Sequence, residues 1–160
     1  MTRGTVRRLR RSADPADRHD SEQEDHRGVD TPARPLLIVD AANVVGSRPD
    51  GWWRDRAGAV RRLHQALSRG PADLGEIVLV VEGAARAGVG PGMTDSVRVV
   101  HAAGSGDDAI VELVAAEVDR EPHRPITVVT ADRELRRRVT PLGATILGPT
   151  ALWQRLLAHP

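Results

Sequence analysis

From residue 35 onward, short apolar runs alternate with more polar stretches. The runs occupy residues 36–39, 77–81, 97–100, 126–129 and 144–147. Near-continuous runs of β-branched and aliphatic residues of this length are typical of strands buried on both faces of a parallel sheet. Arg98 and Thr145 interrupt the third and fifth runs. A polar side chain is tolerated best in an outer strand, so we place these two strands at the sheet edges.

Between the runs, apolar residues recur at helical spacing. The four stripes are Trp53, Ala57, Val60, Leu63 and Leu67; Ile110, Leu113, Val114 and Val118; Leu135 and Val139; and Leu152 and Leu156. Strands that alternate with helices predict βαβ units with right-handed crossovers. The sequence therefore predicts an α/β fold with helices on both faces of the sheet. Residues 84–91 are rich in Gly and Ala and predict a loop.

Residues 1–34 have a different character. The first eleven contain five arginines and no acid, and residues 12–30 are mainly acidic. Such a segment cannot bury enough apolar surface to offset the entropy of ordering it, which predicts a disordered tail before a folded domain at 35–160. Three interpretations remain open: a basic arm that tethers RNA, a solvated tail, and a start codon placed too far upstream.

Composition excludes several classes of protein. The chain has no cysteine, which excludes disulfides, thiolate metal sites and a cysteine nucleophile. No run approaches the ~20 apolar residues of a membrane span, and the Arg-rich start lacks the apolar segment of a secretory signal. We therefore expect a cytoplasmic protein without a membrane partner. Arginine supplies every basic side chain except histidine, which is typical of a GC-rich bacterial genome. The net charge of +1 provides no global basic field.

Acidic residues follow three of the predicted strands. Asp40-Ala-Ala-Asn43 follows the first, Asp107 and Asp108 begin a helix after the third, and Asp132 follows the fourth. Ligands of open α/β sheets bind beyond the carboxyl ends of the strands, so we expect these carboxylates at one rim. Their repulsion would raise their pKa values unless a cation balanced it. Oxygen ligands favour Mg²⁺ or Mn²⁺, which can bind a scissile phosphate and activate water.

Each of these residues also has a purely structural interpretation. Aspartate at the start of a helix is commonly an N-cap, and Asp40-to-Asn43 is compatible with an Asx turn. Taken alone, each aspartate is more often structural than catalytic. Their convergence on one rim is harder to explain in that way, and the Asp107-Asp108 pair exceeds what a cap requires.

Three segments resemble the motifs of NYN domains, the PIN-like nucleases that include YacP-type proteins. Asp40-Ala-Ala-Asn43 resembles D-G-x-N, residues 105–110 (SGDDAI) resemble S-x-D-D-x-I, and residues 128–135 (VVTADREL) resemble V-T-S-D-x-x-L. The resemblance covers residues 35–157, although Ala41 replaces the usual glycine.

The resemblance implies a PIN-like three-layer fold with a parallel five-stranded sheet of order 3-2-1-4-5. It also implies a Mg²⁺- or Mn²⁺-dependent endoribonuclease. The implied catalytic residues are Asp40, Asn43, Asp107, Asp108 and Asp132, and the four aspartates would hold the metal.

Other residues are candidates for secondary roles. Glu82 ends the second strand and is either a fifth metal ligand or an exposed glutamate. Arg133 and Arg86 are candidates for phosphate contacts. Trp52 lies off the helical stripe and is able to stack on an unpaired base, although we favour partial packing, and Trp53 is predicted to lie in the core.

Two rival functions follow from the same sequence. Residues 104–109 fit the dinucleotide-binding pattern G-x-G-x-x-A, but two aspartates beside a pyrophosphate argue against a dehydrogenase. The second rival is a catalytically inactive RNA- or protein-binding module on the same fold. A pure binder gains nothing from clustered negative charge facing RNA, so the nuclease is favoured. The preference for RNA over DNA rests on the resemblance. The endo- or exonucleolytic mode and the oligomeric state, monomer or homodimer, remain open.

Overall fold

All five apolar runs form strands, and a sixth strand joins them. A computed structural model describes residues 31–160. Residues 1–30, which make up most of the tail predicted at residues 1–34, lie outside the described residues. The strands are β1 (Leu36–Asp40), β2 (Glu76–Val81), β3 (Gly92–Thr94), β4 (Val97–His101), β5 (Ile126–Val129) and β6 (Thr145–Leu147). Their order in the sheet is β3-β4-β2-β1-β5-β6. The five predicted strands are parallel and follow the predicted order.

The extra strand makes the sheet mixed, which corrects the purely parallel, five-stranded prediction. β3 pairs antiparallel with β4, so the third apolar run is an inner strand and not an edge. Arg98 is accommodated there half-buried, opposite Met93. Asp95 and Ser96 join the two strands with φ values of 48° and 70°. Two consecutive positive φ values are the geometry of a type I′ hairpin turn, which matches the twist of the flanking strands.

Helices cover both faces of the sheet and complete three layers. They are α1 (Ala41–Gly46), α2 (Arg56–Ser68), α3 (Gly106–Arg120), α4 (Arg133–Val139) and α5 (Pro149–Leu157). The loop predicted at residues 84–91 largely forms a 3₁₀ helix, Gly83–Gly88, and α1 was not predicted. Within residues 31–160, no helix is long and apolar enough to cross a bilayer.

The core consists of two apolar layers, one on each side of the sheet. Leu37 and Val39 of β1 pack into the layer under α1, α2 and α5, whereas Leu36 and Ile38 pack into the layer under α3 and α4. Successive side chains of a strand point to opposite faces, so a strand buried on both sides must be apolar throughout. The polar Asp40 is tolerated because it is the last residue of β1.

Trp53 is not in the core, which corrects the sequence prediction. Asp55 caps α2 by accepting a hydrogen bond from the backbone N–H of Gly58 at 2.8 Å, so the helix begins at Arg56. Trp53 precedes this cap, in the 3₁₀ turn Trp52–Arg54, and helical spacing does not apply to it. Its side chain is 55% exposed, while Trp52 is half-buried against the first core layer, as expected.

A buried arginine joins elements at the amino-terminal side of the sheet. Arg124 precedes β5, and its guanidinium forms ion pairs with Glu76 at 2.6 Å and Glu117 at 3.2 Å. Its Nε also donates to the carbonyl oxygen of Arg34 at 2.8 Å. With three partners, the buried charge is compensated, which is the condition under which proteins tolerate one.

Candidate functional site

The carboxyl ends of the central strands open onto a cleft of about 330 Å³, called here the acidic cleft. Its lining residues are Asp40, Ala42, Asn43, Glu82, Ser105, Asp107 and Asp132. They come from four segments that are far apart in sequence but follow neighbouring parallel strands. Parallel strands place their carboxyl ends at one rim, and the sheet therefore collects these side chains in one place.

Asp40 is the most deeply buried acid of the cleft, with only 7% of its surface exposed. Its carboxylate accepts hydrogen bonds from the Thr130 hydroxyl at 3.1 Å and the Asn43 N–H at 3.4 Å. Burial raises the pKa of Asp40 to about 6, and the negative charges of Asp107 and Glu82 contribute to this increase. The ionised form of Asp40 is therefore costly in this environment, and a bound cation would stabilise it.

The ends of β1 and β5 are held together by polar contacts. The buried Thr130 hydroxyl donates to Asp40 and accepts from the backbone N–H of Asp132 at 3.1 Å. Across the same rim, Asn43 Oδ1 accepts from the backbone N–H of Ala131 at 2.6 Å. Asn43 thus orients the segment that carries Asp132, and the Thr130 hydroxyl links the Asp40 carboxylate to the backbone of Asp132.

Asp132 is both a helix cap and a cleft residue. Its Oδ1 accepts from the backbone N–H groups of Glu134 at 2.8 Å and Leu135 at 3.0 Å, which caps α4. The structural interpretation of this aspartate therefore holds. It does not remove Asp132 from the site, because the same side chain lines the acidic cleft.

The start of α3 separates the two consecutive aspartates. Asp107 lines the cleft. Burial is the largest cause that raises the pKa of Asp107, and the nearby charges of Asp132 and Glu82 raise it further. Asp108 is not among the lining residues, and its carboxylate pairs with Arg138 at 2.9 Å. Neighbouring residues of an α-helix point about 100° apart, so one helix start does not direct both side chains at the same point.

Glu82 joins the cleft by anchoring α3. Its carboxylate accepts a hydrogen bond from the backbone N–H of Gly106, the first residue of that helix. A Cβ at position 106 would lie 3.0 Å from Glu82 Oε2, so glycine permits this close approach. Glu82 therefore lies at the rim with the predicted aspartates, and it also positions the backbone that carries Asp107.

The donor set of the cleft fits a hard divalent cation. Within residues 31–160, no three His, Asp or Glu side chains stand in an arrangement that would hold a metal by themselves. Mg²⁺ usually keeps several waters and takes only one or two carboxylates together with substrate phosphates, so a closed cage is not required. Burial first, and then the neighbouring carboxylates, raise the pKa values of Asp40 and Asp107.

The three candidate substrate residues lie outside the acidic cleft. Arg133 is the exposed first residue of α4, directly after Asp132. Arg86 is also exposed, and its Nε donates to the carbonyl oxygen of Gly83 at 3.2 Å. Trp52 lines a second pocket, which shares Ala42 and Glu82 with the acidic cleft.

Sequence reasoning missed Ser105 and Thr130. Ser105 lines the cleft and caps α3 by accepting from the backbone N–H of Asp108 at 3.1 Å. Its signal was available, since a serine three residues before an acid at the start of an apolar stripe marks a helix start. Thr130 had a weaker signal: a single hydroxyl at the end of an apolar strand, directly before the acid-bearing loop.

Two solved structures share this fold. A tryptophan-to-leucine mutant of Rae1 (YacP) from Bacillus subtilis matches with a TM-score of 0.64 and 18% identity, over 78% of this chain and 76% of that chain. Another structure of Rae1 (YacP) from Bacillus subtilis matches with a TM-score of 0.62 and 19% identity, over 77% and 74% of the two chains. No protein-family model matches the sequence, and neither does any curated protein. The YacP-like fold implied by the three motifs is thus confirmed.

Proposed function

We propose that this chain is a metal-dependent ribonuclease that cuts RNA phosphodiester bonds endonucleolytically. The observation that carries the proposal is the acidic cleft, in which Asp40, Glu82, Asp107 and Asp132 converge from separate segments. Buried negative charge of this density is unfavourable in an isolated protein and becomes favourable around a cation. Two further observations support a nuclease that acts on RNA. They are the three motifs that resemble NYN domains and the fold shared with Rae1 (YacP).

In this proposal Mg²⁺ or Mn²⁺ binds to Asp40, Asp107 and Asp132, with Glu82 at the edge of the set. When bound, such an ion neutralises a phosphate oxygen and lowers the pKa of water. The remaining chemistry belongs to the chain. Thr130 fixes the orientation of the Asp40 carboxylate, and Asn43 holds the loop that presents Asp132.

The proposed role of Asp108 differs from that of Asp107. Its ion pair with Arg138 keeps its carboxylate beside the cleft but directed towards α4. In the proposal Asp108 belongs to the outer ring of the site and holds α3 against α4. Arg133 follows Asp132 on the same helix and would contact the phosphate backbone on the solvent side.

The proposal is tested by incubating the full chain with labelled single-stranded RNA and DNA in the presence of Mn²⁺. We expect RNA to be cut, and a circular single-stranded RNA to be opened, because only an endonuclease can cut a strand without ends. The double variant Asp40→Asn/Asp107→Asn should lose the activity. Asp119→Asn is the matched control, because Asp119 is an exposed aspartate near the opposite end of α3.

The outcomes separate the proposal from its rivals. Cleavage that survives in the double variant would show that the acidic cleft is not the source of the activity. If the parent protein binds Mn²⁺ and RNA without cutting, the inactive binding module is the better description. If DNA alone is cut, the metal site stands and the RNA assignment is wrong.

A further inference from the structure

A second pocket opens beside the acidic cleft and is called here the Trp52 pocket. Its volume is about 250 Å³, and Ala42 and Glu82 line both cavities. The remaining walls are mostly apolar and include Val45, Trp52, Arg56, Val60 and Ala85. A ligand in the acidic cleft would therefore lie next to an apolar pocket that contains a tryptophan and an arginine.

The tryptophan of this pocket is held in place by its surroundings. Trp52 packs against the core layer under α1 and α2, and its ring lies beside Gly46 at the end of α1. The Arg56 guanidinium lies over the Trp52 ring, 5.6 Å from its centre, and the Trp53 ring meets Trp52 edge-on with 6.2 Å between the two ring centres. A half-buried indole with a cation beside it presents a rigid π-surface, and flat aromatic groups bind to such surfaces by stacking.

The pocket has the size and position for a nucleobase. An apolar cavity of about 150 Å³ is sufficient to bind benzene, so 250 Å³ accommodates the larger ring of a base. Arg56 is exposed on the first turn of α2, where its charge is available to a phosphate of the same strand.

We propose that the Trp52 pocket binds one unpaired base of the strand whose phosphate enters the acidic cleft. The base stacks on Trp52, and Arg56 contacts a flanking phosphate. This inference rests on the proposed function and adds a base-binding subsite to it, which favours a single strand over a duplex. The bases of a duplex are paired and stacked on one another, so they have no free face to offer to Trp52 without the cost of unstacking.

Binding is measured in the Asp107→Asn background with EDTA present, so that the proposed metal-dependent cleavage cannot occur and one repelling charge is removed. A labelled ten-nucleotide single-stranded RNA is titrated, and its fluorescence anisotropy gives Kd. Loss of stacking is worth roughly 1–3 kcal/mol, so adding Trp52→Ala should weaken binding about 5- to 150-fold. Trp52→Phe keeps a ring and should retain most of the affinity. Trp53→Phe is the matched control, because Trp53 is exposed outside the pocket and a phenyl ring keeps an aromatic edge against Trp52.

A substrate change tests the same contact without altering the fold. The base is removed from one nucleotide of the RNA at a time, and Kd is measured for each abasic strand. One abasic position should weaken binding to the Asp107→Asn protein by a similar factor, and the same position should have little further effect once Trp52 is alanine. If Trp52→Ala fails to fold, the abasic series on the Asp107→Asn protein carries the test alone: one sensitive position supports the inference, and none contradicts it.

Several results would overturn the inference. These are equal affinity of the Trp52→Ala and Trp53→Phe proteins, the absence of any sensitive abasic position, tighter binding of a duplex than of a single strand, and no measurable binding of any strand. Failure of the proposed function has a different signature. If the parent protein cuts nothing but the abasic effect depends on Trp52, the pocket is a base site in a binding protein.

Discussion

Replacing Asp40 by asparagine is expected to stabilise the protein at neutral and alkaline pH. The substitution removes a charge that is almost fully buried, while the amide oxygen is able to keep the hydrogen bond from the N–H of Asn43. The Thr130 hydroxyl donates to the other carboxylate oxygen of Asp40, and it would meet the amide nitrogen, from which it would have to accept. Asparagine is also as good a helix N-cap as aspartate, so the start of α1 should be preserved. The change therefore removes the charge while it keeps side-chain size and the cap, at the cost of reversing one hydrogen bond.

The magnitude follows from the pKa of Asp40. Burial first, and then the charges of Asp107 and Glu82, raise this pKa from its ordinary value of 3.8 to about 6. Between these pH values the folded protein binds a proton that the unfolded chain has released, so the free energy of unfolding falls as the pH rises through the window. One pKa unit corresponds to about 1.36 kcal/mol, which gives a loss of about 3 kcal/mol above pH 6.

Urea denaturation at pH 4 and pH 8, with EDTA present, measures this effect. The Asp40→Asn protein should be more stable than the parent by up to about 3 kcal/mol at pH 8 and nearly equal to it at pH 4. Other titrating groups are common to both proteins and cancel in the difference. Asp119→Asn, an exposed change, should give no pH-dependent difference. An Asp40→Asn protein that is less stable than the parent at pH 8 would refute this reasoning.

Three further predictions concern the metal, the polar link and the buried arginine. Mn²⁺ at 100 times its Kd should stabilise the parent by about 2.7 kcal/mol in thermal melting, and Asp107→Asn should lose most of this gain; an unchanged shift would exclude Asp107 as a ligand. Thr130→Val should lower the free energy of unfolding by about 1–3 kcal/mol in urea, because Asp40 loses a donor; a neutral effect would mean that the contact carries no energy. Arg124→Leu should cost about 1–3 kcal/mol, because Glu117 loses its buried partner and retains only the ion pair with the exposed Arg120; a cost below 1 kcal/mol would contradict the role given to this pair.

The strands were predictable because burial on both faces imposes a strict requirement on sequence. Runs such as 36–39 and 77–81 are apolar at every position, and the structure makes them central strands. β3 was not predictable in this way, because its three residues are exposed and bury no stripe. Its pairing depends on the turn at Asp95 and Ser96, whose positive φ values are a weaker sequence signal than the Asn-Gly pair of most such turns.

The position of the acidic cleft was predictable from the sequence, whereas the contacts of its side chains were not. Strand order and the rule for carboxyl ends of parallel strands bring Asp40, Asp107 and Asp132 to one rim. Spacing did not show that Asp108 pairs with Arg138, a partner some thirty positions along the chain. The exposure of Trp53 was mispredicted because a helical stripe was extended through the Asp55 cap, although a capping residue was visible in the sequence.

We propose that the acidic cleft holds a divalent cation. Anomalous diffraction from crystals grown with Mn²⁺ tests this proposal most directly, because it locates the bound manganese. We expect an anomalous peak between the carboxylates of Asp40, Asp107 and Asp132, and its absence from crystals of the Asp40→Asn/Asp107→Asn protein. A manganese peak found only elsewhere on the molecule, or none at a saturating concentration, would contradict it.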